Sequence, residues 1–316
     1  GNVKIEQLKN QVQRIACPVC FNSGSRFWRT VRDWTLERCP VCSMTFANPC
    51  PDQKTLELAY GLPREAYQKY FQSAYIDCDT ILGESAEWQR DLSIGYLRAM
   101  ENKRAGKKGR LLDIGCGSGA LLEVAQEMGW ETTGVDYGDW RQDSLRDDRL
   151  NIYRGSLQGA GFENESFDVV FMGSVLEHLS NPTEYLEIIR RLLKNNGILY
   201  IVGIPNINSW TILLRIDRWL GNHPPGHLLF FSDKTIELIL RQTGFSGIKT
   251  RSYGISETVL EAIFNRKNTI YSGEYAGLVH EKSMRGQMFK VARSLVYSIL
   301  DLARMGSVLE VMAIKN

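Results

Sequence analysis

The sequence predicts an α/β fold built on a mostly parallel sheet, and three segments predict it. The first runs Leu111-Leu112-Asp113-Ile114-Gly115-Cys116-Gly117-Ser118-Gly119-Ala120-Leu121-Leu122, an apolar strand, a glycine turn and a helix start in twelve residues. Glycines at 115, 117 and 119 permit positive φ and let a ligand approach the backbone closely. The second is Thr133-Gly134-Val135-Asp136-Tyr137, where a second strand should end in a carboxylate 21 residues after Gly115, placed to accept both hydroxyls of a ribose. The third, Ser166-Phe167-Asp168-Val169-Val170-Phe171-Met172-Gly173-Ser174-Val175-Leu176-Glu177-His178-Leu179, reads as a further strand entering a loop and short helix. Gly115, Gly117 and Ala120 also satisfy a dinucleotide fingerprint. Asp113 argues against it, because a carboxylate near the turn suits a cationic ligand better than a pyrophosphate.

Together with Leu192-Leu193-Lys194-Asn195-Asn196-Gly197-Ile198-Leu199, read as a helix end, glycine turn and fifth strand, these segments stand in the order seen in class I S-adenosylmethionine (SAM) dependent methyltransferases. The chain resembles that family over roughly residues 90 to 250. The resemblance implies a Rossmann-like seven-stranded, mostly parallel sheet and an S-adenosylmethionine site formed by Asp113, Gly115, Cys116, Gly117, Gly119, Asp136, Tyr137, Ser156, Leu157, Met172 and Ser174. Where the family often has an acidic residue near the adenine, this chain has Ser156, whose hydroxyl, or the Leu157 backbone, can serve instead.

Upstream, Cys17-Pro18-Val19-Cys20 and Cys39-Pro40-Val41-Cys42 are two knuckles separated by eighteen residues. This is zinc-ribbon spacing, and four thiolates leave no open position for water, so structural zinc on Cys17, Cys20, Cys39 and Cys42 is expected. The rival reading, two disulfides, requires an oxidising compartment. With no signal peptide and no long apolar run, a cytoplasmic location is expected. Residues 27–31 and 35–38 should form a hairpin between the knuckles. Cys50, Cys78 and Cys116 are read as free thiols, Cys116 being a small side chain in the turn.

Three regions follow. Residues 1–50 carry a leading helix and the ribbon. Residues 51–101 form a helical cap over the cofactor mouth. Residues 102–316 are the methyltransferase domain, with insertions at about 206–231 and 255–305. Ser232 should cap a helix ended by Gly244, and strands near 247–252 and 307–315 complete the sheet. The basic run from Lys103 to Arg110 is read as a solvated connector, with a phosphate patch as the alternative. Hydrophobic residues at 43%, charged residues at 23% and a net charge of +2 are ordinary for a soluble chain and predict no strong attraction to nucleic acid.

A hydroxyl acceptor must lose its proton, which makes His178 and His227 the candidate general bases. His223 and His280 are read as solvated, and Glu177 as facing cofactor or helix. With its cysteine-rich start and the segment His227-Leu228-Leu229-Phe230-Phe231-Ser232, the chain is similar to bacterial methyltransferases of sugars, glycans and secondary metabolites. The zinc-containing sugar C-methyltransferases pair this histidine with a glutamate and a tyrosine, and Gly226 and Pro224 stand there instead. O-methylation of a sugar-bearing or small natural-product acceptor is therefore expected. The alternatives are sugar C-methylation, RNA methylation with the ribbon as reader through Phe27, Trp28 and Trp34, and a quinone or lipid acceptor reached by a Trp210 to Leu220 helix resting on a membrane surface. A SAM-binding or ribbon interaction module without catalysis is the remaining one. Oligomeric state is not legible.

Overall fold

The computed structural model describes residues 11–31, 33–71, 86–138, 149–213, 224–253 and 299–316. Strands β1 (Val12–Gln13), β2 (Arg26–Val31), β3 (Trp34–Arg38), β4 (Thr45–Ala47) and β5 (Cys50–Pro51) precede helices α1 (Gln53–Tyr60), α2 (Arg64–Phe71) and α3 (Ala86–Lys103). Next come β6 (Arg110–Ile114), α4 (Ala120–Glu127), β7 (Glu131–Asp136), β8 (Ile152–Arg154), β9 (Phe167–Gly173), α5 (Pro182–Leu192) and β10 (Leu193–Pro205). A short helix α6 (Trp210–Leu213), β11 (Leu229–Phe230), α7 (Asp233–Gln242), β12 (Phe245–Tyr253) and β13 (Val308–Lys315) complete the described chain. The leading helix expected before the ribbon, Cys78, His223, His280, most of the second insertion and the second half of the Trp210 to Leu220 segment lie outside the described residues.

The main sheet has seven strands in the order β12-β13-β10-β9-β6-β7-β8. From β10 to β8 neighbours are parallel, and β13 runs antiparallel to both β10 and β12. The expected seven-stranded, mostly parallel sheet is therefore present. Its centre is apolar on both faces, as a sheet covered by helices requires: Leu111, Leu112, Val169, Val170, Leu199 and Ile201 are buried. The edge strand β12 instead alternates buried or half-buried with exposed positions over most of its length.

Local signals account for most boundaries. Ser232 caps α7 in a reciprocal capping box with Thr235, and Gly244 follows at φ +82°. The turn expected between α5 and the fifth strand is a bulge: β10 starts directly at Leu193, and its register against β9 shifts between Leu193 and Ile198, where Asn196 adopts φ +61°.

The basic run before β6 is exposed from residue 105 to 108, as a solvated connector would be, but it is anchored at Arg104 and Arg110. Asp168 accepts hydrogen bonds from Arg104 at 3.0 Å, Lys194 at 2.8 Å and the Arg110 amide at 2.9 Å, knotting α3, β6, β9 and β10 together. Burial alone would raise the Asp168 pKa, but the Lys194 ammonium, the Arg110 amide and the Arg104 guanidinium outweigh it and hold the carboxyl below its usual range. Its stabilisation is therefore present above the ordinary carboxylate pKa and is lost as pH falls through the depressed value. Asp168→Asn is expected to cost about 2 kcal/mol at neutral pH. Chemical denaturation should show that difference shrinking in acid.

The smaller sheet has the order β11-β4-β3-β2. The β2–β3 hairpin joins the two cysteine knuckles as expected, and the fourth strand is new. Residues 229–230 come from the first insertion of the catalytic region and pair with Phe46 and Thr45 of the ribbon. The ribbon is thereby sewn to the loop carrying His227. Among the described residues no helix is long and apolar enough to cross a membrane.

Candidate active site

A cavity of about 300 Å³ opens at the carboxyl ends of β6, β7 and β9, where open α/β sheets bind ligands. Gly115, Gly117, Asp136, Tyr137, Leu157 and Ser174 line it, joined by Tyr60, Tyr67, His178 and Tyr185. At the turn, Gly115 has φ +73°, and a Cβ there would lie 2.4 Å from the Val175 side chain. Only glycine keeps this wall open.

Asp136 stands at the end of β7 and braces the turn. Its carboxylate accepts from the Gly117 amide at 2.8 Å and the Gly138 amide at 2.9 Å, one on each oxygen. A carboxylate oxygen can accept more than one hydrogen bond, so this bracing is compatible with ribose hydroxyls donating to the same group. The remaining residues expected at the cofactor, Asp113, Cys116, Gly119, Ser156 and Met172, are not among those lining the cavity. Asp113 is 4% exposed, and burial followed by the charge of Asp136 raises its pKa well above the carboxylate norm. Met172 is fully buried. Cys116 packs with Leu122 and Leu150, filling space that a Cβ on Gly134 would take. Gly119 is the N-cap of α4 at φ +92°, and the Ser156 hydroxyl accepts from the Gly159 amide at 3.0 Å.

The helical cap is fastened by tyrosines that spacing alone does not reveal. Tyr137 donates to Glu57 of α1 at 3.1 Å and lies 2.6 Å from the hydroxyl of Tyr185 on α5, while Gln53 donates to Tyr185 at 3.3 Å. Desolvation, with the nearby Tyr185 hydroxyl and Glu57 carboxylate, keeps the Tyr137 phenol protonated.

Of the two candidate bases, His178 lines the cavity and His227 stands behind it. His178 and His227 pack edge to face with ring centroids 4.6 Å apart. The Gly226 carbonyl lies 2.7 Å from His178 Nδ1 and can only accept, so Nδ1 carries the proton and Nε2 presents its lone pair. Burial lowers the His178 pKa to about 4, keeping the ring neutral. Glu177 is wholly buried, and neither carboxylate oxygen has a hydrogen-bond partner among the described residues. Burial raises its pKa to about 8. Glu177 lies beside the two histidines, its Oε1 3.9 Å from His178 Nε2.

The cysteine cluster fits the metal expected of it. All four Sγ atoms lie within 4.8 Å of one another. Separations of 3.5 Å for Cys17–Cys42 and 3.4 Å for Cys20–Cys39 far exceed a disulfide bond and approach the edge, about 3.8 Å, of a thiolate tetrahedron around zinc. The Val41 amide donates to Cys39 Sγ at 3.4 Å, as in a metal knuckle. All the described cysteines are free of disulfides.

A parallel sheet with a glycine turn at the end of β6 and a ribose-ready acid at the end of β7 defines an α/β enzyme for a nucleoside-bearing cofactor. Residues 86–250, about half of the chain, match the family described as "Methyltransferase domain", and the chain belongs to that family. It is 31% identical over 156 residues to a ubiquinone biosynthesis O-methyltransferase of Roseobacter denitrificans, covering 46% of this chain and 62% of the relative. A protein of the same description from Cereibacter sphaeroides is 38% identical over 154 residues, covering 44% and 61%. The chain thus spans about three fifths of the length of the curated relatives it matches. Among solved structures it is similar to a SAM dependent methyltransferase from Archaeoglobus fulgidus, with a TM-score of 0.48, 21% identity and coverage of 75% of this chain and 98% of that one.

Proposed function

We propose that the protein transfers the methyl group of SAM to a hydroxyl oxygen of a sugar-bearing or small natural-product acceptor. The observation that carries this reading is His178 in the wall of the cofactor cavity, with His227 packed edge to face against it. SAM supplies a methyl group already activated by its sulfonium, so the chain needs to hold an acceptor oxygen about 3 Å from that carbon and dispose of its proton. Gly115 and Gly117 admit the cofactor, Asp136 holds the ribose, and Tyr60 and Tyr67 on the cap exclude water. His178 is locked in one tautomer with Nε2 free to accept a hydrogen bond.

A phenolic or quinol acceptor is the second reading. The tyrosine-lined cavity favours it, as do the names of the relatives. Carbon methylation has less support, because the positions that would carry its tyrosine and glutamate are Pro224 and Gly226. RNA stacking on the ribbon has less too: the Trp28 ring is covered by the guanidinium groups of Arg29 at 4.8 Å and Arg38 at 5.0 Å.

The test is transfer of isotopically labelled methyl from SAM to a panel of glycosides, phenols and quinols. His227→Gln is expected to lower turnover about 100-fold, the lower range for loss of a proton-handling group, with S-adenosylhomocysteine binding nearly unchanged. Label appearing only on carbon or RNA, or full turnover in both His178→Gln and His227→Gln, would refute the proposal.

A further inference from the structure

We infer that Glu177, His178 and His227 form a second metal site, distinct from the four cysteines, that takes a first-row divalent cation of the zinc type behind the stretch of cavity wall formed by His178. Its role in turnover rests on the hydroxyl-acceptor reading above; its existence does not.

Three observations converge on it. Each of the three side chains offers a donor atom, and these atoms lie within 4.8 Å of one another, close enough to gather on one ion with small adjustments. The Glu177 carboxyl group is wholly buried, and neither of its oxygens has a hydrogen-bond partner among the described residues, although buried polar atoms are ordinarily satisfied. His178 Nε2 is 3.9 Å from Glu177 Oε1, beyond hydrogen-bond reach but near enough for both atoms to share one ion.

The third observation is the hydrogen bond from His178 Nδ1 to the Gly226 carbonyl. Metal-binding imidazoles are commonly oriented in this way, the second nitrogen donating to a backbone carbonyl so that the first offers its lone pair. The loop bearing His227 is held equally firmly. The Leu228 amide donates to the Glu177 carbonyl at 2.9 Å, and the Leu228 carbonyl accepts from the Ala47 amide of the ribbon at 2.8 Å. Residues 177 and 227 are therefore held together by a direct backbone bond at Leu228, which the ribbon braces through Ala47.

One carboxylate and two imidazoles make a donor set suited to zinc, iron(II), cobalt(II) or manganese(II), and three protein ligands leave positions open for oxygen. With the ion bound, the two histidines act on the acceptor's proton through the metal and not as free bases: a hydroxyl bound there would lose its proton to solvent more readily. The oxygen then forms its bond to the methyl carbon as the carbon–sulfur bond breaks, the electron pair staying on sulfur as the thioether.

The experiment uses cobalt(II) added to the full chain after metal removal, without acceptor, followed by absorption and equilibrium dialysis. The expected result is two equivalents: one with intense thiolate-to-cobalt absorption from the ribbon, the other with the weak bands of nitrogen and oxygen ligands. Glu177→Gln and His227→Ala should each weaken the second equivalent at least about 100-fold, while the thiolate equivalent and S-adenosylhomocysteine binding persist. A single equivalent confined to the thiolates, or a second one indifferent to both substitutions, would overturn the inference. Since the readout needs no acceptor, two equivalents in a protein that methylates no hydroxyl would uphold the site and end the O-methylation reading.

Discussion

Replacing Gly115 with alanine is expected to weaken S-adenosylhomocysteine binding by about 100-fold without unfolding the chain. The residue sits at φ +73°, where a Cβ costs about 1–2 kcal/mol, and that Cβ would press on Val175 Cγ2 at 2.4 Å. Overpacking of this kind adds about 1–3 kcal/mol. Relief comes from moving Val175 or the turn itself, and both line the cofactor cavity. Strain is thus converted into lost affinity, at about 1.4 kcal/mol per tenfold. Calorimetric titration of the variant checks this. Near-native affinity would mean that the turn does not grip the cofactor.

The second large effect is expected from Cys39→Ser. Structural zinc contributes folding free energy directly, and losing one of four thiolates should lower stability by about 3 kcal/mol or more, with loss of bound metal. The damage should extend past the ribbon. β4 pairs with β11, and the residues just before β11 bring His227 against His178. The variant should therefore lose turnover while retaining S-adenosylhomocysteine binding, because the cavity walls from β6 and β7 do not depend on that pairing. Metal analysis, thermal denaturation and cofactor titration on one preparation read all three. A variant of native stability and metal content would show that the cysteines hold no structural ion.

What the sequence disclosed follows from the range of the interactions involved. The glycine turn, the acid ending β7 and the two knuckles are local patterns whose chemistry is set within a few residues, so their partners could be named from spacing. Ser232 as a helix cap belongs to the same class. The α5 to β10 turn was misplaced only in form, because a bulge in a long strand has the same residues as a separate turn. Asp168 as a clamp for the basic run was hidden, since its partners Arg104 and Lys194 lie far apart in sequence and meet through sheet order. Glu177 was hidden for the same reason. Its neighbour His227 arrives through β11 joining the ribbon sheet, a two-strand-residue pairing with no periodic signature. The tyrosine fastening of α1 through Tyr137 and Tyr185 likewise depends on where the cap docks.

The most direct measurement is calorimetric titration of the wild-type protein with S-adenosylhomocysteine and, separately, with NADH, the alternative that a glycine turn followed by a ribose-binding acid leaves conceivable. Saturable binding of S-adenosylhomocysteine that collapses in Gly115→Ala, with no heat from NADH, is the predicted result. Binding of NADH in its place would contradict the assignment of the cavity and, with it, the chemistry built upon it.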